Sequence, residues 1–172
     1  MDGRTIYSQY IKPPWSPPSW VIGLVWSFLY AIVAVSFSTV FYSAYKKQIP
    51  RVVALPFALN IIFNFAFPYI QFDLANNFLA SIDILLVVGT LIWALCTVWQ
   101  KAPKLRWVVY VNIPYLLWGV YAASVQLGIT YLNAYLMSSA RAKINQSRNI
   151  AYDLLFNMLS ISNCSNFKHP AD

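Results

Sequence analysis

Residues 12–45 read KPPWSPPSWVIGLVWSFLYAIVAVSFSTVFYSAY, and no charged residue follows Lys12 until Lys46. A helix needs about 20 mainly apolar residues to cross a hydrocarbon core of roughly 30 Å, because each residue rises about 1.5 Å. The prolines at the start are too dense for a helix interior and suit a stiff extended loop that ends at a helix start. This stretch therefore predicts a proline-rich loop over residues 1–18 and a transmembrane helix over 19–45.

Three further stretches are almost free of charge. They cover residues 52–72, residues 74–100 with only Asp83, and residues 107–140. Only 10% of the residues are charged and 59% are apolar, whereas an ordinary soluble domain is roughly 25% charged. The stretches lack strict alternation and exceed the ~10-residue strands of a membrane barrel. We predict an all-α, multi-pass integral membrane protein, of a bacterial inner membrane or an organelle membrane, with further spans at about 52–72, 78–100 and 107–136.

The spans are joined by short connections, and the predicted bundle covers residues 19–140. Asn76 or Asn77 is expected to cap the third span, and Pro68 to kink the second. Residues 141–172 form a polar tail whose apolar patch at 150–161 is too short to span, so we expect an interfacial helix there. The basic residues divide equally between the two sides of the predicted bundle, which leaves its orientation open.

Several kinds of chemistry lack the residues they need. Cys96 and Cys164 have no metal-ligand or disulfide-framework spacing, and His169 is the only histidine, three residues from the carboxyl end. No nucleophile motif, Gly-rich phosphate loop or carboxylate pair is present. The basic residues sit at span ends, where lipid headgroups rather than nucleic acid are the natural partner. We expect no catalytic residue, no metal and no cofactor.

Aromatic residues make up 17% of the chain, and many fall inside the spans instead of at their ends. Helical spacing places several on shared faces with polar neighbours. One interpretation is a cavity for a flat hydrophobic ligand, and the other is packing between helices. The faces comprise Trp26 with Tyr30, then Asn60, Asn64 and Phe67, and finally Tyr115, Trp118, Ala122 and Gln126.

Asp83 is the only acidic residue inside a predicted span. An intramembrane carboxylate is a functional candidate by default, but Asp83 could equally be neutral or hydrogen-bonded to nearby polar groups. On the fourth span, Gly119 and Ala123 form a small-xxx-small pair that permits close helix approach, within the bundle or across a homodimer.

The end of the fourth span matches a loose sterol-contact pattern through Leu132, Tyr135 and Arg141. This pattern fits many helix ends by chance. We therefore favour the interpretation that Tyr135 and Arg141 are ordinary interfacial anchors.

Several ordered motifs resemble the TspO family, the tryptophan-rich sensory proteins and translocator proteins that include the peripheral benzodiazepine receptor. The loop KPPWSPP at 12–18 is followed by Trp and Tyr four residues apart, at Trp26 and Tyr30. Further matches are LN-x3-N-x2-F at 59–67, LA-x2-D-x-LL at 79–86 and IPYLLW-x3-A at 113–122. The resemblance covers about residues 4–136.

The resemblance implies a helix bundle, often dimeric, that binds porphyrins and, in some members, cholesterol and benzodiazepine-type drugs. Its pocket lies beneath the proline-rich loop. Carried over to matching positions, the pocket residues are Trp26, Tyr30, Asn64, Phe67, Asp83, Trp118 and Ala122, and the lid residues are Trp15, Pro17 and Pro18.

The chain departs from the family pattern in three places. The family has five helices, the first before the proline-rich loop, where only about a dozen residues stand here. Either the chain is truncated or mis-started, or its bundle has four spans that a neighbouring protomer completes. Ile6 replaces a loop tryptophan implicated in light-dependent porphyrin breakdown. Val125-Gln126 replaces the family's Leu-Asn in the last helix, and only Asn133 is kept.

The sequence predicts a non-enzymatic membrane protein that senses or transports porphyrin-like or sterol-like ligands. Membrane lipid and a second copy of the chain are its expected partners. Three alternatives stay open: a small proton-coupled multidrug exporter with Asp83 as the coupling acid, a light-dependent porphyrin-degrading protein, and a purely structural membrane protein.

Overall fold

Helices make up all the regular secondary structure of residues 10–165, the part of the chain that the computed structural model describes. The chain divides into two units, Met1–Leu132 and Asn133–Asp172. The α-helices are α1 (Ser19–Tyr45), α2 (Leu55–Pro68), α3 (Asn77–Lys101), α4 (Arg106–Val111) and α5 (Ile113–Ser165).

Within residues 10–165, three segments are long and apolar enough to cross a membrane: Trp20–Tyr45, Arg51–Asp73 and Asn77–Lys101. A fourth is available if Pro103–Val111 and Ile113–Ile150, which meet at 46°, form one bent span. Large apolar side chains face outward along these helices; Phe65, for example, is 79% exposed. Such a surface suits lipid, whose tails are as apolar as the side chains. The predicted all-α membrane bundle is confirmed.

Each helix is positioned by a local feature of the sequence. Pro18 precedes the first turn of α1, and a short 3-10 turn, Arg51–Val53, leads into α2. At the start of α3 the Asn76 side chain accepts a hydrogen bond from the Leu79 backbone N–H at 3.1 Å, which satisfies one of the otherwise unpaired donors of a helix start. The predicted asparagine cap is therefore confirmed at Asn76.

The expected kink at Pro68 takes the form of a widened turn. Proline has no N–H for the Asn64 carbonyl, and α2 ends there. The chain continues as a π-helix, Tyr69–Asp73, in which the Leu74 N–H reaches the Tyr69 carbonyl at 3.0 Å. The wide turn holds Gln71 in the interior at 1% exposure, with its Oε1 unpaired among the described residues.

The fourth predicted span is broken between α4 and α5 at Asn112. Pro114, two residues later, cannot donate to the Tyr110 carbonyl, so the regular ladder fails at this point. The Asn112 side chain is fully buried and donates to the Val108 carbonyl at 2.8 Å and to Ser36 Oγ on α1 at 3.0 Å. The break is thereby tied to α1.

The core of the first unit lies among α1, α2, α3, α4 and the first part of α5, which contributes Tyr115 and Ala123. Phe37 and Phe57 meet edge to face with their ring centroids 4.7 Å apart. Leu91 and Val98 on α3 and Val108 on α4 are also buried in this cluster. Close packing of side chains is what holds helices together in lipid, because no hydrophobic driving force acts between them there.

In the second unit, the helix continues well beyond the predicted end of the fourth span near residue 136. It runs to Ser165 without a break, through the segment that we expected to be a polar tail. The chain contains neither glycine nor proline between Thr130 and Ser165, and Ala, Arg, Lys and Gln there are good helix formers. The apolar patch 150–161 lies inside this helix, while the rest of the expected tail, residues 166–172, lies outside the described residues.

The described part of the proline-rich loop packs on α5 at Gly128. A β-carbon added to Gly128 would lie 3.1 Å from Pro13 Cγ and 3.5 Å from Trp15 Cζ2. Pro13 is buried, and the Ser16 N–H donates to the Pro13 carbonyl at 2.9 Å, which closes a turn. The loop therefore packs closely on α5 here, and any side chain at position 128 would have to push Pro13 outward.

Replacing Gly128 tests this contact. Gly128→Leu must displace Pro13 and is expected to lower the melting temperature in detergent by several degrees, about 2–4 °C for each 1 kcal/mol lost. Gly89→Leu is the matched control, since nothing lies within 4 Å of a β-carbon there. Equal melting temperatures for the two variants would show that the loop does not depend on Gly128.

Candidate functional site

A buried hydrogen-bonded cluster joins α2, α3 and α5. Tyr115 donates from its hydroxyl to Asn60 Oδ1 at 3.0 Å, and Asn64 Nδ2 donates to the Tyr115 hydroxyl. Asn60 Nδ2 donates to the Val87 carbonyl at 2.7 Å and to Thr90 Oγ1 at 3.1 Å. Asn60 and Tyr115 are almost completely buried, so the two helical faces predicted from spacing meet each other here.

Trp26 on α1 packs beside this cluster. Its ring lies 6.2 Å from that of Tyr115 in an edge-to-face arrangement and 5.3 Å from that of Tyr30. Trp26 is half-buried and Tyr30 is 46% exposed. Three predicted site residues, Trp26, Tyr30 and Asn64, are therefore gathered around Tyr115.

A groove of about 540 Å³ lies between α1 and α5, next to these aromatic residues. Its volume falls within the roughly 300–1,000 Å³ of small-molecule sites. Trp118 lies in its wall and contacts Tyr121, with the ring centroids 5.3 Å apart. The lining residues are Val25, Phe28, Leu29, Pro114, Leu117, Trp118 and Tyr121.

The proline-rich loop is fastened at the edge of this groove. The Tyr121 hydroxyl donates to the Trp15 backbone carbonyl at 2.7 Å. The Trp15 side chain itself is 54% exposed, Pro17 is half-buried, and Pro18 is exposed at the start of α1. The loop is thus placed where a lid would be, and Tyr121 is the side chain that connects it to the groove.

Two polar atoms near this region are buried without a hydrogen-bond partner among the described residues: Trp118 Nε1 and Asp83 Oδ2. Asp83 is 4% exposed on α3, one turn before Val87, whose carbonyl accepts from Asn60. An unsatisfied polar group costs several kcal/mol in a hydrocarbon environment. The low exposure of Asp83 agrees with the predicted interior position of its side chain. The alternative, a carboxyl group hydrogen-bonded to nearby polar groups, is not observed for Oδ2 among the described residues.

The remaining predicted site residues lie in two places. Phe67 and Ala122 are half-buried and pack against the hydrophobic core. Leu132 is half-buried in the first unit, while Tyr135 and Arg141 are exposed in the second. The sterol-contact pattern therefore stays a prediction.

The small-xxx-small pair packs inside the chain. A β-carbon on Gly119 would lie 3.4 Å from Val88 Cγ2 of α3, and Ala123 is 6% exposed. These two residues therefore allow α5 to approach α3. Since both are buried within one chain, neither offers a surface to a second copy.

Sequence reasoning missed the contact between Tyr121 and Trp15. Tyr121 stands three residues after Trp118, a spacing that places both on one helix face and could have drawn attention to it. A second missed set links α5 to the start of α3: Thr130 Oγ1 lies 2.7 Å from Ser81 Oγ and donates to the Asn77 carbonyl at 3.0 Å. The first contact joins α5 to the proline-rich loop, and the second joins α5 to the start of α3.

The arrangement is suited to binding. Within residues 10–165, no group of three or more His, Cys, Asp or Glu side chains could hold a metal ion. What the site offers is an apolar groove, tilted aromatic rings, one unpaired indole N–H and one unpaired carboxyl oxygen.

Comparison with known proteins gives a consistent relationship. The sequence profile of the TspO/MBR family matches residues 1–132. The chain is similar to the tryptophan-rich protein TspO of Bacillus cereus, at 35% identity over 76% of this chain and 82% of that protein. It is also similar to the translocator protein homolog of Schizosaccharomyces pombe, at 30% identity over 76% and 79% of the two chains. The translocator protein of Homo sapiens is 30% identical over 68% of each.

The matched residues include the loop, the cluster around Tyr115 and the groove between α1 and α5. The family profile matches about three quarters of the chain, and the sequence motifs quoted above agree with it. This protein therefore belongs to the TspO/MBR family.

Proposed function

We propose that the protein binds a flat, hydrophobic, porphyrin-like or sterol-like ligand in the groove between α1 and α5, and senses or carries that ligand in the membrane. The groove lies between α1 and α5, the helices that carry Trp26 and Tyr115, and the proline-rich loop stands at its edge. Aromatic rings in offset or tilted positions suit contact with a flat conjugated or polycyclic ligand.

The observation that carries this proposal is the unpaired indole N–H of Trp118 in the groove wall. Buried indole groups normally have an acceptor, and one without it in an apolar environment is costly. A ligand oxygen, such as a carboxylate of a porphyrin or the hydroxyl of a sterol, would supply the acceptor once the ring turns toward it. The groove would then recognise an apolar ligand with a polar group at one place.

The names of the relatives support a non-enzymatic role. They are called tryptophan-rich protein TspO and translocator protein; the first name refers to composition, the second to translocation, and neither refers to a reaction. Hydrolysis through a covalent intermediate needs a nucleophilic side chain next to a general base, and the residues that line the groove include no such pair. A homodimer stays part of the proposal, although it cannot use Gly119 and Ala123.

A second function, proton-coupled export, is favoured by one observation. Asp83 is buried in the third span with an unpaired carboxyl oxygen. Intramembrane carboxylates of this kind occur in proton relays of transporters. Export assigns no task to the proline-rich loop, so we place it behind ligand binding.

Porphyrin titration in the dark tests the main proposal. Saturable quenching of tryptophan fluorescence is expected with the protein in detergent. The affinity should be roughly 10-fold weaker for Trp118→Phe, because this variant loses about 1.4 kcal/mol of ring contact and hydrogen bonding in the groove wall. Trp93→Phe is the matched control, an exposed tryptophan on α3 outside the groove. Its affinity should match that of the unchanged protein.

Absence of saturable quenching, or equal affinities for Trp118→Phe and Trp93→Phe, would contradict binding in this groove. The same samples under illumination test the light-dependent alternative. If the porphyrin absorbance falls in proportion to protein concentration, the protein degrades its ligand and is more than a binding protein.

The contact between Tyr121 and the loop should control how fast a ligand leaves. Tyr121→Phe keeps the ring in the groove wall but removes the hydrogen bond to the Trp15 carbonyl. We expect the dissociation rate measured by stopped-flow to rise about 3- to 10-fold, with little change in the association rate, since one hydrogen bond contributes about 0.5–1.5 kcal/mol. Tyr110→Phe, at the opposite end of the bundle, should leave both rates unchanged; the lid role would be refuted if the two variants behaved alike.

Asp83→Asn separates binding or carriage from proton-coupled export. In proteoliposomes, ligand movement that needs a pH gradient and disappears in Asp83→Asn would support export. Under the main proposal, the gradient should change ligand movement by less than about 2-fold, and the variant should still bind, because its amide has nearly the shape of the carboxyl group.

A further inference from the structure

A second groove lies on another face of α5. It is formed by the last turns of α3, by α4 and by the first turns of α5. Its volume is about 300 Å³, and Gln100 is the only amide or charged side chain in its lining. Leu116 and Ile113 of α5 face it, whereas Leu117 and Pro114 face the groove proposed for the ligand. The full lining is Ile92, Leu95, Cys96, Trp99, Gln100, Val109, Ile113 and Leu116.

The turn that closes this second groove is strongly basic. Gln100 and Val109 line the two walls, and the eight residues between them contain Lys101, Lys104 and Arg106, all exposed. The Arg106 guanidinium carbon lies 4.7 Å from the centre of the Trp99 ring, and Trp99 is a lining residue. A cation over an aromatic face is held in place while its outer N–H groups stay free.

No carboxylate of the first unit's described residues lies near these cations in the fold. The acidic residues of this range are Asp73 and Asp83. Asp73 precedes α3, at the end opposite Lys101, and Asp83 lies seven residues into α3, still 18 residues from Lys101. The same end of the bundle carries Lys46 and Arg51 besides, so its charge is uniformly positive.

We infer that this second groove binds an anionic phospholipid, with part of an acyl chain along the apolar lining and the headgroup phosphate on Arg106 and Lys104. A span end lies at the level of the lipid headgroups, and each Lys or Arg near an anionic surface adds to the attraction. Guanidinium groups bind phosphate through paired N–H groups, and the stacking on Trp99 fixes the orientation of this one. Trp99 and Tyr110, whose rings meet at 6.2 Å, form an aromatic pair typical of that depth.

Native mass spectrometry of the full chain tests the inference, with equal amounts of phosphatidylglycerol and phosphatidylcholine that carry the same acyl chains. One phosphatidylglycerol should be retained per chain, at roughly 10-fold or greater preference over phosphatidylcholine. Lys104→Gln with Arg106→Gln should abolish most of the preference. Lys46→Gln with Arg51→Gln removes the same two charge types from the same end, outside the groove, and should leave the preference within about 2-fold.

A groove-filling variant keeps the test independent of charge. Cys96→Phe occupies the apolar lining and should reduce retention of both lipids at this site, with the melting temperature used to confirm that the variant is folded. Equal effects of the two double variants would overturn the inference, because they would show attraction by net charge alone. So would unchanged lipid retention in folded Cys96→Phe.

Discussion

Asn60 is the residue on which the bundle depends most. Its side chain lies at 0% exposure, yet it pairs with a backbone carbonyl and a hydroxyl of α3 and accepts from Tyr115 of α5. In hydrocarbon the alternative to such pairing is an amide with no partner, which costs several kcal/mol. The three helices are therefore held in one register, and that register places Trp26 of α1 against Tyr115.

The helices that could span the membrane were predictable because each charged residue is costly inside the hydrocarbon core, so long uncharged apolar stretches mark them in the sequence. α1 covers the same residues as the predicted first span, and α3 differs from the predicted third by one residue at each end. Spacing also placed Asn60, Asn64 and Tyr115 on inward faces. It could not show that these faces meet, because which helices are neighbours depends on contacts between residues about 50 positions apart.

What the sequence could not show is how the backbone responds to local interruption. A proline removes one hydrogen bond, but whether the helix kinks, widens or breaks depends on its neighbours. At Pro68 the chain widens into a π turn, and at Asn112 it breaks and is tied to Ser36. The hydrogen bond from Tyr121 to the loop could not be predicted from residue types either, because its acceptor is the backbone carbonyl of Trp15, which every residue carries.

α5 presents different residues to the two grooves of the first unit. Leu117 and Trp118 belong to one, and Ile113 and Leu116 to the other. Because adjacent positions on a helix point in directions about 100° apart, a single helix can serve both without sharing a side chain. A shift of α5 along or about its axis would alter both grooves together, so the proposed lipid site and the proposed ligand site would be coupled through this helix.

The way in which the proline-rich loop is attached has a consequence for how the family can diversify. The attachment uses the Trp15 carbonyl and the Pro13 ring, while more than half of the Trp15 side chain remains exposed. The Trp15 side chain also packs at Gly128 through its Cζ2 atom, so the indole and the backbone of residue 15 both contribute to the attachment. The hydrogen bond from Tyr121 uses only the backbone of residue 15, so an exchange of that side chain would keep this part of the attachment and lose the packing on Gly128.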